Sequence, residues 1–341
     1  MRFSAAEEVF TLVAPQKLRS LPMKLIIQIP CYNEEQTLGV ALQALPRTLP
    51  GIHTIEWLVV NDGSSDRTSQ VARELGVDHV IDRPHLGLAR TFMAGLEACL
   101  ARGADIIVNT DADNQYEAAD IPKLLEPILA GRADMVIGER PILEIEHFSP
   151  LKKALQRLGS WVVRAASGTT IADAPSGFRA ITREAALQLN VFNAYTYTLE
   201  TIIQAGQRDM RVVSVPVRTN DFLRPSRLFK SIPAYVQRSI FTIIRIFAVY
   251  QPLRFFSILG IPPAILGVLL ALRWVILYFV EGTARTHVPS LIAAAVLVLV
   301  GVQVWILGFV ADLIAVNRHL LEDIQLRLRR AEYPKPDEPA A

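Results

Sequence analysis

Short apolar runs rich in β-branched residues recur along the first half of the chain, at 24–30, 56–61, 79–82, 105–110 and 134–138, each bounded by polar or turn-forming residues. The intervals carry a helical period instead. Residues 37–45, 68–75, 88–100 and 121–129 predict helices, the second of them behind a Ser64-Ser65-Asp66 capping cluster. Strand and helix alternating at this spacing predict an α/β fold with a doubly wound, mainly parallel sheet covered on both faces. Ligands of such sheets sit at the carboxyl ends of the strands. The polar clusters of this half lie there: Cys31-Tyr32-Asn33-Glu34, Asn61-Asp62-Gly63, Asp111-Ala112-Asp113 and Glu139-Arg140.

The pattern changes near the C-terminus. Residues 255–280 and 288–316 form two apolar stretches, each longer than the roughly 20 residues that cross a bilayer. The seven-residue connection, 281–287, predicts a tight hairpin with both outer ends on one side. Lys230, Arg238, Arg245 and Arg254 precede the hairpin and Arg318, Arg327, Arg329 and Arg330 follow it, whereas the connection holds Arg285 alone, so both ends and the α/β domain are expected in the cytoplasm at a cell membrane. Arg273 stands about two turns from the end of its span and can snorkel outward. Between domain and hairpin, Arg238, Thr242 and Arg245 share one face of an apolar segment, which predicts an amphipathic helix lying in the membrane interface.

The expected organisation is therefore an N-terminal lead at 1–22, a catalytic domain at 23–228, the interfacial helix at 229–254, the transmembrane hairpin at 255–316 and a cytoplasmic tail at 317–341. The lead lacks the pattern of a signal peptide, since Glu7 and Glu8 precede only a short apolar run. Met23 stands directly before the first strand, which marks it as a candidate natural start and the lead as dispensable.

Of 341 residues, 51% are hydrophobic, in keeping with a chain that meets lipid. A formal charge of only +2 provides no global field for nucleic acid. The two cysteines, Cys31 and Cys99, have no metal-ligand spacing and imply a reducing compartment without a disulfide framework. Neither G-x-G-x-x-G after the first strand nor G-x-x-x-x-G-K-[ST] anywhere is present, which argues against a dinucleotide oxidoreductase or a P-loop enzyme.

Asp111, Asp113 and Gln115 follow the strongest strand, and alternate residues at a strand end can converge as hard oxygen ligands for Mg²⁺ or Mn²⁺. Such an ion bridges diphosphate oxygens and stabilises charge on a departing nucleoside diphosphate. A lone D-x-D is a weak signal. Together, Ile29-Pro30-Cys31-Tyr32-Asn33-Glu34-Glu35, Val59-Val60-Asn61-Asp62-Gly63-Ser64-Ser65-Asp66 and the D-x-D resemble the donor half of family 2 glycosyltransferases of the GT-A fold. That resemblance implies that Pro30, Tyr32, Asn33 and Glu34 line a nucleoside pocket, that Asp62 contacts the base, that Asp111 approaches ribose or metal, and that Asp113 with Gln115 holds the metal. The stretches 86–95, Val136-Ile-Gly-Glu-Arg140, Asp173-Ala-Pro-Ser-Gly-Phe-Arg179, Val213-Ser-Val-Pro216 and Arg224-Pro-Ser-Arg227 are similar to the polyprenyl-phosphate, or dolichol-phosphate mannosyltransferase, branch. The usual Asp-Asp-Gly-Ser reads Asn61-Asp62-Gly63-Ser64 here, a departure at position 61.

Chemistry also supports a phosphate acceptor. A sugar hydroxyl needs a general base as it attacks, whereas a phosphate monoester is largely ionised near neutrality and needs cationic positioning. Arg140, Arg179, Arg224 and Arg227, with the Ser226 hydroxyl, are the candidates to hold it. Asp173 is a candidate catalytic group, as a base or as the orienting partner of an arginine or the sugar. A polysaccharide synthase on the same fold is the main rival: Gln251-Pro-Leu-Arg254-Phe255 approaches its Q-x-x-R-W motif, but no later acidic pair appears. A non-catalytic scaffold would have little reason to keep every polar residue of the donor half. Homo-oligomerisation stays open at this level.

Overall fold

The computed structural model describes residues 23–141, 159–161, 163–191, 197–221, 237, 240–241, 244–245, 247–281 and 288–334. The first half follows the expected order: β1 (Lys24–Cys31), α1 (Leu38–Ala44), β2 (Thr54–Asp62), α2 (Thr68–Glu74), β3 (His79–Arg83), α3 (Leu88–Ala101), β4 (Ile106–Asn109), a 3₁₀ turn (Ala118–Asp120), α4 (Ile121–Leu129) and β5 (Met135–Glu139). Then come β6 (Arg179–Thr182), α5 (Arg183–Gln188), α6 (Thr198–Gln207) and β7 (Val212–Pro216). The chain ends in α7 (Pro252–Glu281) and α8 (Val288–Glu332).

Seven strands form one sheet in the order β3-β2-β1-β4-β6-β5-β7. All neighbours are parallel except β6, which runs antiparallel between β4 and β5. β1 is almost wholly buried because helices cover both of its faces. Leu25, Ile27 and Ile29 belong to one core cluster with α1 and α4 residues such as Leu42 and Leu124, while Ile26 belongs to the cluster of the opposite face with Phe92, Leu96 and Ile202. Gln28 is the buried polar side chain of this strand, and its Nε2 donates to Asn109 Oδ1 at 2.9 Å across the β1–β4 pair.

The antiparallel β6 was not legible in the sequence. Four residues, Arg-Ala-Ile-Thr, give too short a pattern, yet they place the start of β6 at the functional edge: Arg179 pairs with Asn109 of β4 and Ile137 of β5.

α7 and α8 pack together through small residues. A Cβ on Gly260 would stand 2.7 Å from the Gly301 carbonyl oxygen, and one on Gly267 2.7 Å from that of Ala294. Their outer faces expose Ile258, Leu266, Phe279, Leu299, Trp305 and Ile314 to the surroundings. Both helices are long and apolar enough to cross a membrane. The stretch after Val316, expected as a tail, continues α8 to Glu332. Its last turns lie against the α/β domain, where Leu326 and Tyr333 pack on the core cluster of α3, α5 and α6. The interfacial helix expected at 229–254 falls partly outside the described residues; 237, 240–241, 244–245 and 247–250 are helical, with Phe241, Ile244 and Arg245 exposed.

Candidate active site

The carboxyl ends of β1, β2, β4 and β5 and the start of β6 share one edge of the sheet. The loops after β1 and β2 are hooked into each other there. Asn33 adopts a left-handed φ of 55°, its backbone N–H donates to Ser64 Oγ at 2.8 Å, and its Oδ1 accepts from the Ser65 N–H at 2.8 Å. The Glu34 N–H donates to Thr68 Oγ1 at 2.8 Å, and a Glu34 carboxylate oxygen accepts from the Thr37 hydroxyl at 2.7 Å. Tyr32 lies open at this edge, stacked on His85 with ring centroids 4.2 Å apart.

Asp62, expected to contact a base, has partners within the protein. Its two oxygens accept from the backbone N–H groups of Leu86 (2.8 Å) and Gly87 (3.0 Å), and His85 Nδ1 lies 2.9 Å from the same carboxylate. Asp62 therefore fixes the 85–87 loop that leads into α3. Gly63 is required beside it, with φ 70° and the His85 nitrogen 2.6 Å from where a Cβ would be.

The D-x-D is not part of a strand. β4 stops at Asn109, so strand alternation does not set the direction of Asp111, Asp113 and Gln115. A turn does: Asn114 has φ 56°, and the Gln115 N–H donates to Asp113 Oδ1 at 3.2 Å. Asn220, beyond β7, clamps that turn by donating to the carbonyls of Asn114 (3.1 Å) and Tyr116 (3.3 Å) and to that of Gln115 (2.9 Å). Asp111 lies beside the Gly177 backbone. Burial, and then the charge of Asp113, push its carboxyl up to about 7, while Arg140 and Arg179 pull the other way.

Gly177 forms the wall beside Asp111. Its N–H donates to the Tyr116 hydroxyl at 2.9 Å and its carbonyl accepts from Asn109 Nδ2 at 2.8 Å, while the same Nδ2 also reaches the Tyr197 hydroxyl at 2.9 Å. The Tyr116 phenol is pushed by burial to about 12 and stays neutral as a hydrogen-bonding group.

Arg140 and Asp173 form a buried two-point ion pair, with Nε to Oδ2 at 2.7 Å and Nη2 to Oδ1 at 2.9 Å. Asp173 has no exposed side-chain surface, and the Arg140 N–H also donates to it at 3.2 Å. Of its three candidate roles, the geometry is that of an arginine-orienting group. Arg179, offered above for an acceptor phosphate, is fully buried. It donates to Thr201 Oγ1 at 2.6 Å, to the Thr198 carbonyl at 3.4 Å and to the Ser176 carbonyl, so it braces the 176–178 turn from inside. Arg224, Ser226 and Arg227 lie outside the described residues.

Pro30, Tyr32, Asn33, Glu34, Asp62, Asp111, Asp113, Gln115 and Arg140 thus border one edge. Sequence reading missed Tyr116, Gly177, Tyr197 and His85. A signal existed for His85, since Pro84-His85-Leu86-Gly87 follows β3 as the other polar clusters follow their strands. Among the described residues no group of three or more His, Cys, Asp or Glu side chains stands at metal-binding spacing. The two aspartates nonetheless fit a hard cation: both are oxygen donors, and their mutual repulsion is what such an ion relieves.

A mixed, mostly parallel sheet with an acidic turn after its central strand defines a glycosyltransferase of GT-A-like fold. That fold is shared with glucosyl-3-phosphoglycerate synthase from Mycobacterium tuberculosis, crystallised with Mn²⁺, UDP-glucose and phosphoglyceric acid, at a TM-score of 0.54 and 19% identity over 66% of this chain and 79% of that one. Residues 26–188 match the glycosyl transferase family 2 domain. The chain is 31% identical to a dolichyl-phosphate hexose transferase of Haloferax volcanii, over 54% of this chain and 78% of the relative. It is 29% identical to the polyprenol monophosphomannose synthase of Mycolicibacterium smegmatis, over 60% and 79%. The chain belongs to glycosyl transferase family 2.

Proposed function

We propose that this protein moves a sugar from a UDP- or GDP-sugar to a polyprenyl phosphate, with inversion at the anomeric carbon, on the cytoplasmic face of a membrane crossed by α7 and α8. The observation that carries the reading is the pairing, at one sheet edge, of the Asp111–Asp113 carboxylates with an arginine locked by a buried aspartate. The names of the relatives support a polyprenyl-phosphate acceptor.

In this reading Pro30, Tyr32, Asn33 and Glu34 receive the nucleoside, and Asp62 shapes that pocket through the 85–87 loop. Asp111 and Asp113, with Gln115, would hold Mg²⁺ or Mn²⁺, which would supply positive charge to neutralise the departing diphosphate. A phosphate oxygen of the acceptor attacks the anomeric carbon as the bond to the nucleoside diphosphate breaks. That oxygen is already ionised, so no side chain need take a proton. Arg140, held by Asp173, faces the acceptor phosphate, joined by Arg224, Ser226 and Arg227. Locking the guanidinium in advance lowers the ordering cost of meeting a second anion.

The test is a panel of labelled UDP- and GDP-sugars offered to membranes containing the protein, with mass spectrometry of the extracted lipid. One donor should yield a lipid heavier than polyprenyl phosphate by one sugar. A growing oligosaccharide would instead favour the polysaccharide-synthase reading, and free sugar alone would overturn acceptor transfer.

A further inference from the structure

α8 has 45 residues, about 68 Å at 1.5 Å per residue, more than twice the roughly 30 Å of a bilayer core. We propose that its membrane-distal end is a strut that sets the height and tilt of the donor site over the membrane, with Arg329 as the chief positioning residue. The inference rests on the lipid acceptor proposed above.

The end of α8 is bonded to the elements that frame the site. Arg329 is buried, and its Nη1 donates to the carbonyls of Leu189 (2.5 Å) and Leu187 (3.4 Å) at the C-terminal end of α5. Its Nη2 meets Glu97 of α3 at 3.2 Å. Arg183 completes the joint by donating to the Tyr333 carbonyl at 2.6 Å and to the carbonyls of Leu100 and Ala104, both at 3.2 Å. Two turns nearer the apolar stretch, buried Glu322 pairs with Arg208 of the α6 cap at 3.1 Å and with Arg318 at 3.4 Å. Asn190 donates to the Gln325 side chain between these two sets.

The gripped elements lead directly to the chemistry. α3 starts at the 85–87 loop that Asp62 holds, and α5 follows β6, whose first residue braces the turn beside Asp111. A second attachment lies at the start of α7, where Gln251 Nε2 donates to the Ala165 carbonyl at 2.8 Å. One attachment would allow the domain to pivot on the hairpin. Two, one at the start of α7 and one near the end of α8, fix its tilt. A soluble acceptor finds the site at any tilt, whereas a phosphate tethered to a bilayer meets it only at one height.

The experiment compares Arg329→Ala with wild type in two settings. Transfer to a long-chain polyprenyl phosphate in liposomes should fall at least tenfold, while transfer to a short-chain acceptor in detergent stays within about threefold. Arg329→Lys, which can still reach the carbonyls, should recover part of the liposome activity. Arg330→Ala is the control, because its pair with Glu184 is exposed. A dye on Gln43→Cys, selective because Cys31 and Cys99 are buried, should show altered energy transfer to a bilayer dye in Arg329→Ala. Equal losses in both settings with unchanged energy transfer, or no loss in either, would overturn the strut. Should Arg329→Ala not fold, Glu97→Ala should show the same asymmetry to a smaller degree, and a symmetric loss would overturn it equally. If wild type fails to use polyprenyl phosphate in both settings, the proposed function falls, and energy transfer alone then judges the strut.

Discussion

Gly177→Ala tests whether Asp111 stands at the reaction. The new Cβ would lie 2.9 and 3.1 Å from the two Asp111 oxygens and 3.1 Å from the Tyr197 hydroxyl, inside the 3.4 Å at which ordinary contact begins. The backbone cannot retreat, because the Gly177 N–H and carbonyl are both hydrogen-bonded, to Tyr116 and Asn109. The strain therefore falls on the Asp111 carboxylate, which must move by about 0.3 to 0.5 Å. A misplacement of about 1 Å can cost a hundredfold in rate, so roughly tenfold in kcat is expected here. Stability moves less: overpacking costs about 1–3 kcal/mol, but removing a glycine from the unfolded chain returns about 0.4–1 kcal/mol. Initial rates at saturating donor and metal, with urea melts of the same preparations, separate the two effects. Gly159→Ala, where nothing lies within 4 Å of the new carbon, is the control. Wild-type kcat and KM in Gly177→Ala would refute the placement of Asp111 at the reacting centre.

Asp113→Ala should abolish metal-dependent transfer while leaving the urea midpoint nearly unchanged, since Asp113 is a turn residue at the edge rather than a core contact; near-normal turnover at saturating metal would reject it as a ligand. Asp120 is held at about 2 against its burial by hydrogen bonds from Arg218 and Lys123. A depressed carboxyl contributes stability that is present above its unfolded value near 3.8 and lost as pH falls through about 2, so Asp120→Asn should flatten the loss of urea stability between pH 4 and 2. The effect should stay below about 2 kcal/mol because Arg218 is exposed and screened, and an unchanged pH slope in the variant would count against it.

Local patterning carried most of the donor half. The first five strands and four helices fall within about two residues of their sequence positions, because buried parallel strands read as apolar runs and their helices as periodic ones. What escaped depends on partners distant in sequence. β6 is a strand only because Asn109 and Ile137 stand on either side of Arg179. The charges of 318–330 look like a solvated tail, yet Arg329 meets carbonyls at 187 and 189. The resemblance points Asp62 at a base and the guanidinium of Arg179 suits a phosphate; what engages them inside the protein, the 85–87 loop and the Thr198–Thr201 turn, is visible only in three dimensions.

The close contact of Gly260 with Gly301 has a consequence for the fate of the product. Two helices whose backbones touch enclose no lumen between them, and the described outer faces of the pair are mostly apolar. On the proposed reaction a glycosylated lipid headgroup is too polar to cross the hydrocarbon unaided. It would stay in the leaflet where it was made, and any use of the sugar on the other side would depend on a separate translocating protein that recognises the finished glycolipid.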